Sequence, residues 1–348
     1  VVHPEDMSRE VKALLVAEAQ RLGFAECRVA PALPAAHREV FEQWVTEGKY
    51  GDMQWLARNV ERRGDPRLVL PGARSVIVLA MNYFQGDAPH ATDYRIARYA
   101  WNDDYHDMIE ARLWELDALL KSHGGTQRHY VDTGPVLERD FASESGLGWN
   151  GKSTMQIHRA LGTWFFLATI ITTLDLEADT PAKDLCGKCT RCIDACPTNA
   201  ITAPHRMDAR RCVSYLTIEH KGSIPLEFRP LIGDRIYGCD DCLVACPWNK
   251  FAQLSHEATF TARESVFPMK LRDFLALTDE QFRDLFRKSP IKRIKCPAFL
   301  RNVCVALGNV GTRDDLPALE RAASDPNELI AEHARWAVIQ IVSRSVGQ

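Results

Sequence analysis

Eight of the eleven cysteines fall between residues 186 and 246, in the runs CGKCTRCIDACP, RCVSYL and GCDDCLVACP. The first run is Cys186-x2-Cys189-x2-Cys192-x3-Cys196-Pro197, the spacing with which thiolates hold a 4Fe-4S cubane. The first three thiolates can wrap one face of a cluster, while the fourth, beyond a short turn and followed by Pro, points away toward a second. Cys239-x2-Cys242-x3-Cys246-Pro247 repeats the pattern one cysteine short, and Cys212 is the obvious replacement. This reading gives one cluster to Cys186, Cys189, Cys192 and Cys246, and the other to Cys239, Cys242, Cys196 and Cys212. Structural zinc is the competing reading, because it also takes Cys-x2-Cys pairs. It has no use for a third cysteine at the same spacing or for the paired Cys-Pro ends. Cys27, Cys296 and Cys304 read as small core residues at apolar helix positions.

Residues 146–153, GLGWNGKS, fit the phosphate-loop pattern and also contain the Gly-x-Gly-x-x-Gly of a dinucleotide-binding turn. Either use needs a buried strand before the loop and a helix after it, so that amide N–H groups aim at phosphate. Upstream lies the polar RDFASES, and the downstream segment reads as two extended stretches around a turn at Gly162. No helix is expected to open at Lys152, and residues 170–175 are a poor stand-in for the metal-binding strand end of a nucleotide hydrolase. The favoured reading is a Gly-rich loop packed against some other ligand, or against nothing.

Clusters move single electrons, so the rest of the chain must contain what receives them. With 348 residues, 46% of them hydrophobic, the chain suits two or three domains. A net charge of -3 gives no global attraction to nucleic acid, so any such binding needs a local patch. The N-terminus lacks the basic-then-apolar order of a secretory signal, and the longest apolar stretch, around residues 164–171, is too short to cross a bilayer. A soluble cytoplasmic protein with reduced thiols is expected, with no membrane partner. Helical spacing over residues 8–23 and 104–123 alternates with strand-like runs at 75–84 and 128–134, which argues an α/β domain over residues 1–175. A ferredoxin-like module follows over 176–255. Residues 256–348 read as short antiparallel helices of the HEAT-like kind. Between Arg287 and Arg313 there are seven basic residues and no acid. Such a run is commonly a solvated face, yet in an acidic protein it also fits a phosphate backbone.

This order of parts resembles the epoxyqueuosine reductases of the tRNA queuosine pathway. The likeness spans nearly the whole chain and is carried by DPRLVLPGARSVIVLAMNY (65–83), DYHDM (104–108), VDTGPVLERDFASESGLGWNGKST (131–154), the cysteine runs, SYLTIEHKG (214–222) and IKRIKCPAFLRNVCVALGN (291–309). The resemblance implies a cobalamin enzyme, related in architecture to reductive dehalogenases, that removes the epoxide oxygen from epoxyqueuosine at the wobble position of certain tRNAs. It places GLGWNGK in the cobalamin-binding domain, where it binds no nucleoside triphosphate. An external low-potential electron donor must feed the clusters.

On the same footing Asp132 is the expected general acid, although the residues alone would make it a turn cap. Asn59, Arg98, Tyr105, Ser153, Met155, Ser214, Tyr215, Asp240 and Asp241 are the expected cofactor contacts. The Asp-x-His-x-x-Gly loop that puts histidine on cobalt in some cobalamin proteins is half matched at Asp104-Tyr105-His106, with Ile109 in place of Gly. A base-off cobalamin with no histidine ligand is therefore expected, with His106 as a possible contact only. Lys221, Lys292, Arg293, Lys295 and Arg301 are expected to grip the anticodon stem-loop while the modified base is splayed into the cleft. The expected state is a monomer. The alternatives are a reductive dehalogenase acting on a small halogenated substrate, or a two-cluster electron-transfer protein without chemistry of its own.

Overall fold

Between its two ends the segment Ser75–Asn82 (SVIVLAMN) has no polar residue, so it must be covered on both faces. The computed structural model, which describes residues 4–87 and 92–346, builds a four-stranded sheet around it. With β1 (Glu26–Pro31), β2 (Ser75–Asn82), β3 (Gln127–Tyr130) and β4 (Phe165–Thr172), the order is β1-β2-β4-β3 and every pairing is antiparallel. Leu79 lies opposite Cys27 on one side and Ala168 on the other. One face of β2, through Ile77, Leu79 and Met81, packs on Val11 and Leu15 of helix α1 (Pro4–Arg21) and on Leu113 and Leu116 of α2 (Tyr105–Ser122). The other, through Val76, Val78 and Ala80, packs on Ala30, Leu147 and on Phe141 of α3 (Glu138–Glu144). Helices thus flank a sheet as expected. Cys27 is buried, but in β1 rather than in a helix.

Helix α3 precedes the Gly-rich loop, and Trp149–Asn150 within the loop pairs antiparallel with Gln156–Ile157 just after it. No strand leads into it and no helix leaves it. A Cβ on Gly146 would stand 2.3 Å from the Thr180 carbonyl oxygen, and one on Gly148 would stand 2.2 Å from that of Ile157. The glycines allow close backbone packing, not phosphate approach.

In the cysteine-rich region two four-residue helices, Arg191–Asp194 and Asp241–Val244, pack against each other and carry Cys192 and Cys242 at matching positions. The strand Arg235–Tyr237 then pairs in parallel with Arg95–Ile96. As a result Tyr94, Ile96 and Trp101 belong to the same core as Tyr237, Phe274, Phe299 and Ile341. The C-terminal part packs helix Lys295–Val310 against Glu328–Val346, which also meets Leu316–Ala322. Among the described residues no helix is long and apolar enough to cross a membrane.

The basic run is less uniform than its sequence. Arg301 is fully buried, with its guanidinium donating to the carbonyls of Leu216 (2.9 Å), His220 and Gly222 (both 2.8 Å) and to Asn302. It ties α-helical and loop backbones together and cannot meet a phosphate, which corrects its assignment to nucleic acid. Arg287 pairs with Asp284 and Arg293 with Glu219. Lys221, Lys292 and Lys295 are exposed.

Candidate functional site

A cavity of ≈ 1760 Å³ opens beside the sheet, well above the roughly 300–1,000 Å³ that small-molecule pockets occupy. Its floor is Phe165, Phe166 and Leu167 of β4, and its walls come from the start of α2, the loop leaving β3, residues 153–156, and the cysteine-rich region.

Asp132 is exposed on this cavity, at the end of the strand that carries His129 and Tyr130. Its φ of 58° is left-handed, and Thr133 donates its N–H back to the Val131 carbonyl at 2.6 Å, closing a γ-turn around it. Asp tolerates such a backbone better than most residues do. The Tyr105 hydroxyl donates to the Asp132 carboxylate. Tyr105 is buried and stacks on Phe166 with centroids 3.8 Å apart, and burial together with the Asp132 charge holds its phenol in the protonated, donating form. Behind the turn, Arg63 donates to the Gly134 carbonyl at 3.0 Å and straps the loop down.

Glu138, at the start of α3, lines the same cavity. Its carboxyl accepts from Thr169 Oγ1 at 3.3 Å and from the Asp132 backbone N–H. Burial, then the neighbouring Asp132 charge, pushes its pKa up to about 8. Sequence reasoning missed Glu138, since an acid in the first turn of a helix is ordinary.

Tyr105, Asn59, Ser153, Met155, Ser214, Tyr215, Asp240 and Asp241 all reach the cavity. Several have other duties there: the Tyr215 hydroxyl accepts from the Asp52 N–H at 2.9 Å, and the Asp241 carboxylate is held by Arg95 and Arg235. Arg98 is not on the wall, which corrects its expected contact. Its guanidinium lies 4.9 to 5.3 Å from the rings of Trp101, Trp164 and Phe84, and its backbone N–H donates to Asp240 at 2.7 Å. It braces a wall residue from behind. His106 also lines the cavity, with Nδ1 2.7 Å from Asp104 Oδ1. Burial lowers the basicity of this ring, but Asp104 outweighs burial and the net shift is upward.

The thiols fall into two neighbourhoods. Cys246 is within electrostatic reach of Cys186, Cys192 and Cys189, and Cys242 is within reach of Cys212, Cys239 and Cys196. The second set lines the cavity, whereas none of the first set does. Among the described residues no three His, Cys, Asp or Glu side chains converge closely enough to hold a single metal ion. A buried donor is left over beside the first set: the indole N–H of Trp149, a residue 3% exposed, faces Cys186 with no hydrogen-bonded acceptor in the protein. An orphaned donor next to four grouped thiols fits a cluster whose sulfurs accept hydrogen bonds.

Residues 63–133 match the family model described as "Epoxyqueuosine reductase QueG, DUF1730", and residues 185–249 match a 4Fe-4S double cluster binding domain. The epoxyqueuosine reductase of Xanthomonas campestris pv. campestris is 42% identical over 347 residues, which cover 97% of each chain. The chain belongs to the epoxyqueuosine reductase family. Among solved structures, an epoxyqueuosine reductase with a tRNA-TYR epoxyqueuosine-modified tRNA stem loop superposes with a TM-score of 0.89 at 31% identity, covering 95% of this chain and 90% of that one. The epoxyqueuosine reductase from Bacillus subtilis, captured with its catalytic aspartate loop swung out of the active site, gives 0.85 at 30% identity with the same coverage. As an epoxyqueuosine reductase, the chain is an oxidoreductase of tRNA modification with a domain for two 4Fe-4S clusters.

Proposed function

We propose that the cavity takes a base-off cobalamin together with the epoxyqueuosine base of a tRNA anticodon loop. Cys196, Cys212, Cys239 and Cys242 would then hold the cluster nearer the cavity, and Cys186, Cys189, Cys192 and Cys246 the outer one. The observation that carries this reading is that one cavity is lined both by an acid on a strained turn, Asp132, and by the inner set of four thiols. With clusters bound, the outer set would receive electrons from an external low-potential donor and the inner set, on the cavity, would pass them on. Cobalamin, when bound, supplies a low-valent metal able to act on an epoxide carbon.

The overall change, epoxide plus two electrons and two protons to alkene plus water, needs two protons at one oxygen. Asp132 gives the first as the ring opens. The second C–O bond breaks only if the hydroxyl leaves as water, and Glu138, in contact with the Asp132 turn, restores the proton that Asp132 has lost. Tyr105 orients the Asp132 carboxylate through its hydroxyl. Phe165 and Phe166 keep the floor dry. Asp104 holds His106 Nδ1 and leaves Nε2 free, so the absence of a histidine on the metal rests on Ile109 standing where the Asp-x-His-x-x-Gly loop has Gly.

Lys221, Lys292 and Lys295 supply phosphate contacts, and Arg293 joins that basic edge to the cavity rim through its pair with Glu219. The test is mass analysis of tRNA nucleosides after incubation with the enzyme reconstituted with iron, sulfide and cobalamin and given a low-potential reductant. Loss of one oxygen from epoxyqueuosine is expected. Asp132→Asn should keep its iron and corrin absorbance and lose product. Full turnover in that variant would remove Asp132 from the chemistry, and a protein that retains no corrin would remove the cobalamin. Nitrogen superhyperfine splitting in the Co(II) paramagnetic resonance spectrum would contradict the absence of a histidine ligand.

A further inference from the structure

The Gly-rich loop aims its donors at sulfur. Besides the Trp149 indole, the backbone N–H of Lys152 is directed at Cys186, and the Lys152 ammonium donates to the carbonyls of Gly187 (2.7 Å) and Cys189 (3.0 Å). The loop therefore grips the turn between the first two cysteines from outside. Trp149 is locked edge-on against Trp248, with centroids 4.9 Å apart and planes at 75°, and Trp248 follows the Cys246-Pro247 end of the same thiol set. The inner set has different company: the carboxylates of Asp240 and Asp241 sit next to Cys239 and Cys242 in the chain and line the same cavity.

A one-electron reduction adds negative charge to a cluster. Hydrogen-bond donors and a fixed cation next to its sulfurs stabilise that reduced form, while nearby carboxylates oppose it. We propose that Trp149 and Lys152 form a donor shell that raises the reduction potential of the outer cluster, making it the first acceptor of electrons from the external donor. This rests on the ligand partition given above and assigns the GLGWNGKS motif a role in electron transfer. Both residues act through the cluster and are positioning residues. The step is one electron taken from the low-potential donor, with no proton or bond change.

The experiment is a redox titration, followed by paramagnetic resonance, of the anaerobically reconstituted full chain. Trp149→Phe keeps the ring packing and removes the N–H; Lys152→Met keeps the stem and removes the charge. In each variant one of the two cluster potentials should fall by about tenfold in the reduction equilibrium, ~59 mV for a one-electron couple, with the other cluster and the iron content unchanged. Two variants that titrate as the parent does would overturn the proposal. If Trp149→Phe loses iron, Lys152→Met decides alone. In a Cys186→Ala background, which should retain only the inner cluster, neither change should move the remaining potential. A shift that persists there would instead refute the partition of the thiols.

Discussion

Replacing Arg301 by Met should unfold the protein more easily and leave its affinity for tRNA unchanged. The guanidinium has no carboxylate partner, and burial lowers its pKa from 12.5 to about 10. Methionine fills much of the space but leaves the carbonyls of Leu216, His220 and Gly222 and the side-chain oxygen of Asn302 without their donor. Each buried, unsatisfied acceptor costs about 1–3 kcal/mol, so the four together cost roughly 4–12 kcal/mol. Against this, the penalty of keeping a charge buried disappears, about 3 kcal/mol for a shift of that size. The difference centres near about 5 kcal/mol, a large share of the ~5–15 kcal/mol by which native domains are stable. An exposed phosphate contact would behave in the opposite way, with stability within about 0.5 kcal/mol of the parent and a weaker salt dependence of binding. Denaturant melts and tRNA titrations over a salt series on Arg301→Met separate the two. Unchanged stability with a flattened salt slope would refute the buried-clamp account.

Neutralising Lys292, Arg293 and Lys295 together should lower the salt slope of tRNA binding by about 2–3, at roughly 0.7–0.9 per phosphate contact. Because Arg293 is already paired with Glu219, the lower figure is expected, and corrin and iron content should not change. Glu138 gives a pH signature. Its folded pKa of about 8 lies above the ordinary 4.5, so its contribution to stability is complete below 4.5 and is lost as pH rises through about 8. The carboxyl faces Asp132, Arg139, Arg63 and Tyr105, and Thr169 donates to it. The parent should lose melting temperature between about pH 5 and 8, levelling off above that, and lose turnover between pH 7 and 9. Glu138→Gln should lack that fall in melting temperature between pH 5 and 8 and turn over slowly without the alkaline limb. An alkaline limb that survives in the variant would assign it to another group.

Local signals were legible. The cysteine spacing depends on a few consecutive turns, and the region it marks is the one that matches a 4Fe-4S double cluster binding domain. The continuous apolar run at Ser75–Asn82 and the helix at Tyr105–Ser122 also lie where periodicity puts them. Long-range signals were not. Nothing local says that Phe165–Thr172 slips between β2 and the earlier Gln127–Tyr130, so alternation of elements could not give the antiparallel order. A tally of basic residues could not see that the helix Lys295–Val310 is buried on nearly every side, which takes Arg301 inward. Arg98 was placed in the correct neighbourhood, but aromatic partners far apart in the chain turn it behind the wall. Glu138 became notable only when Asp132 and Thr169 were brought against it.

The parallel pairing of Arg95–Ile96 with Arg235–Tyr237 has a consequence for biosynthesis. Tyr94 and Trp101 leave the ribosome early, yet the core that shelters them also needs Phe299 and Ile341. At ~5–20 residues per second, those side chains wait on the order of ten to fifty seconds for their partners. During that wait the nascent chain carries bare aromatic surface and metal-free thiols together. Chaperone occupancy and cluster delivery to this chain should therefore be coupled in time, and a fragment ending near residue 250 should aggregate rather than fold.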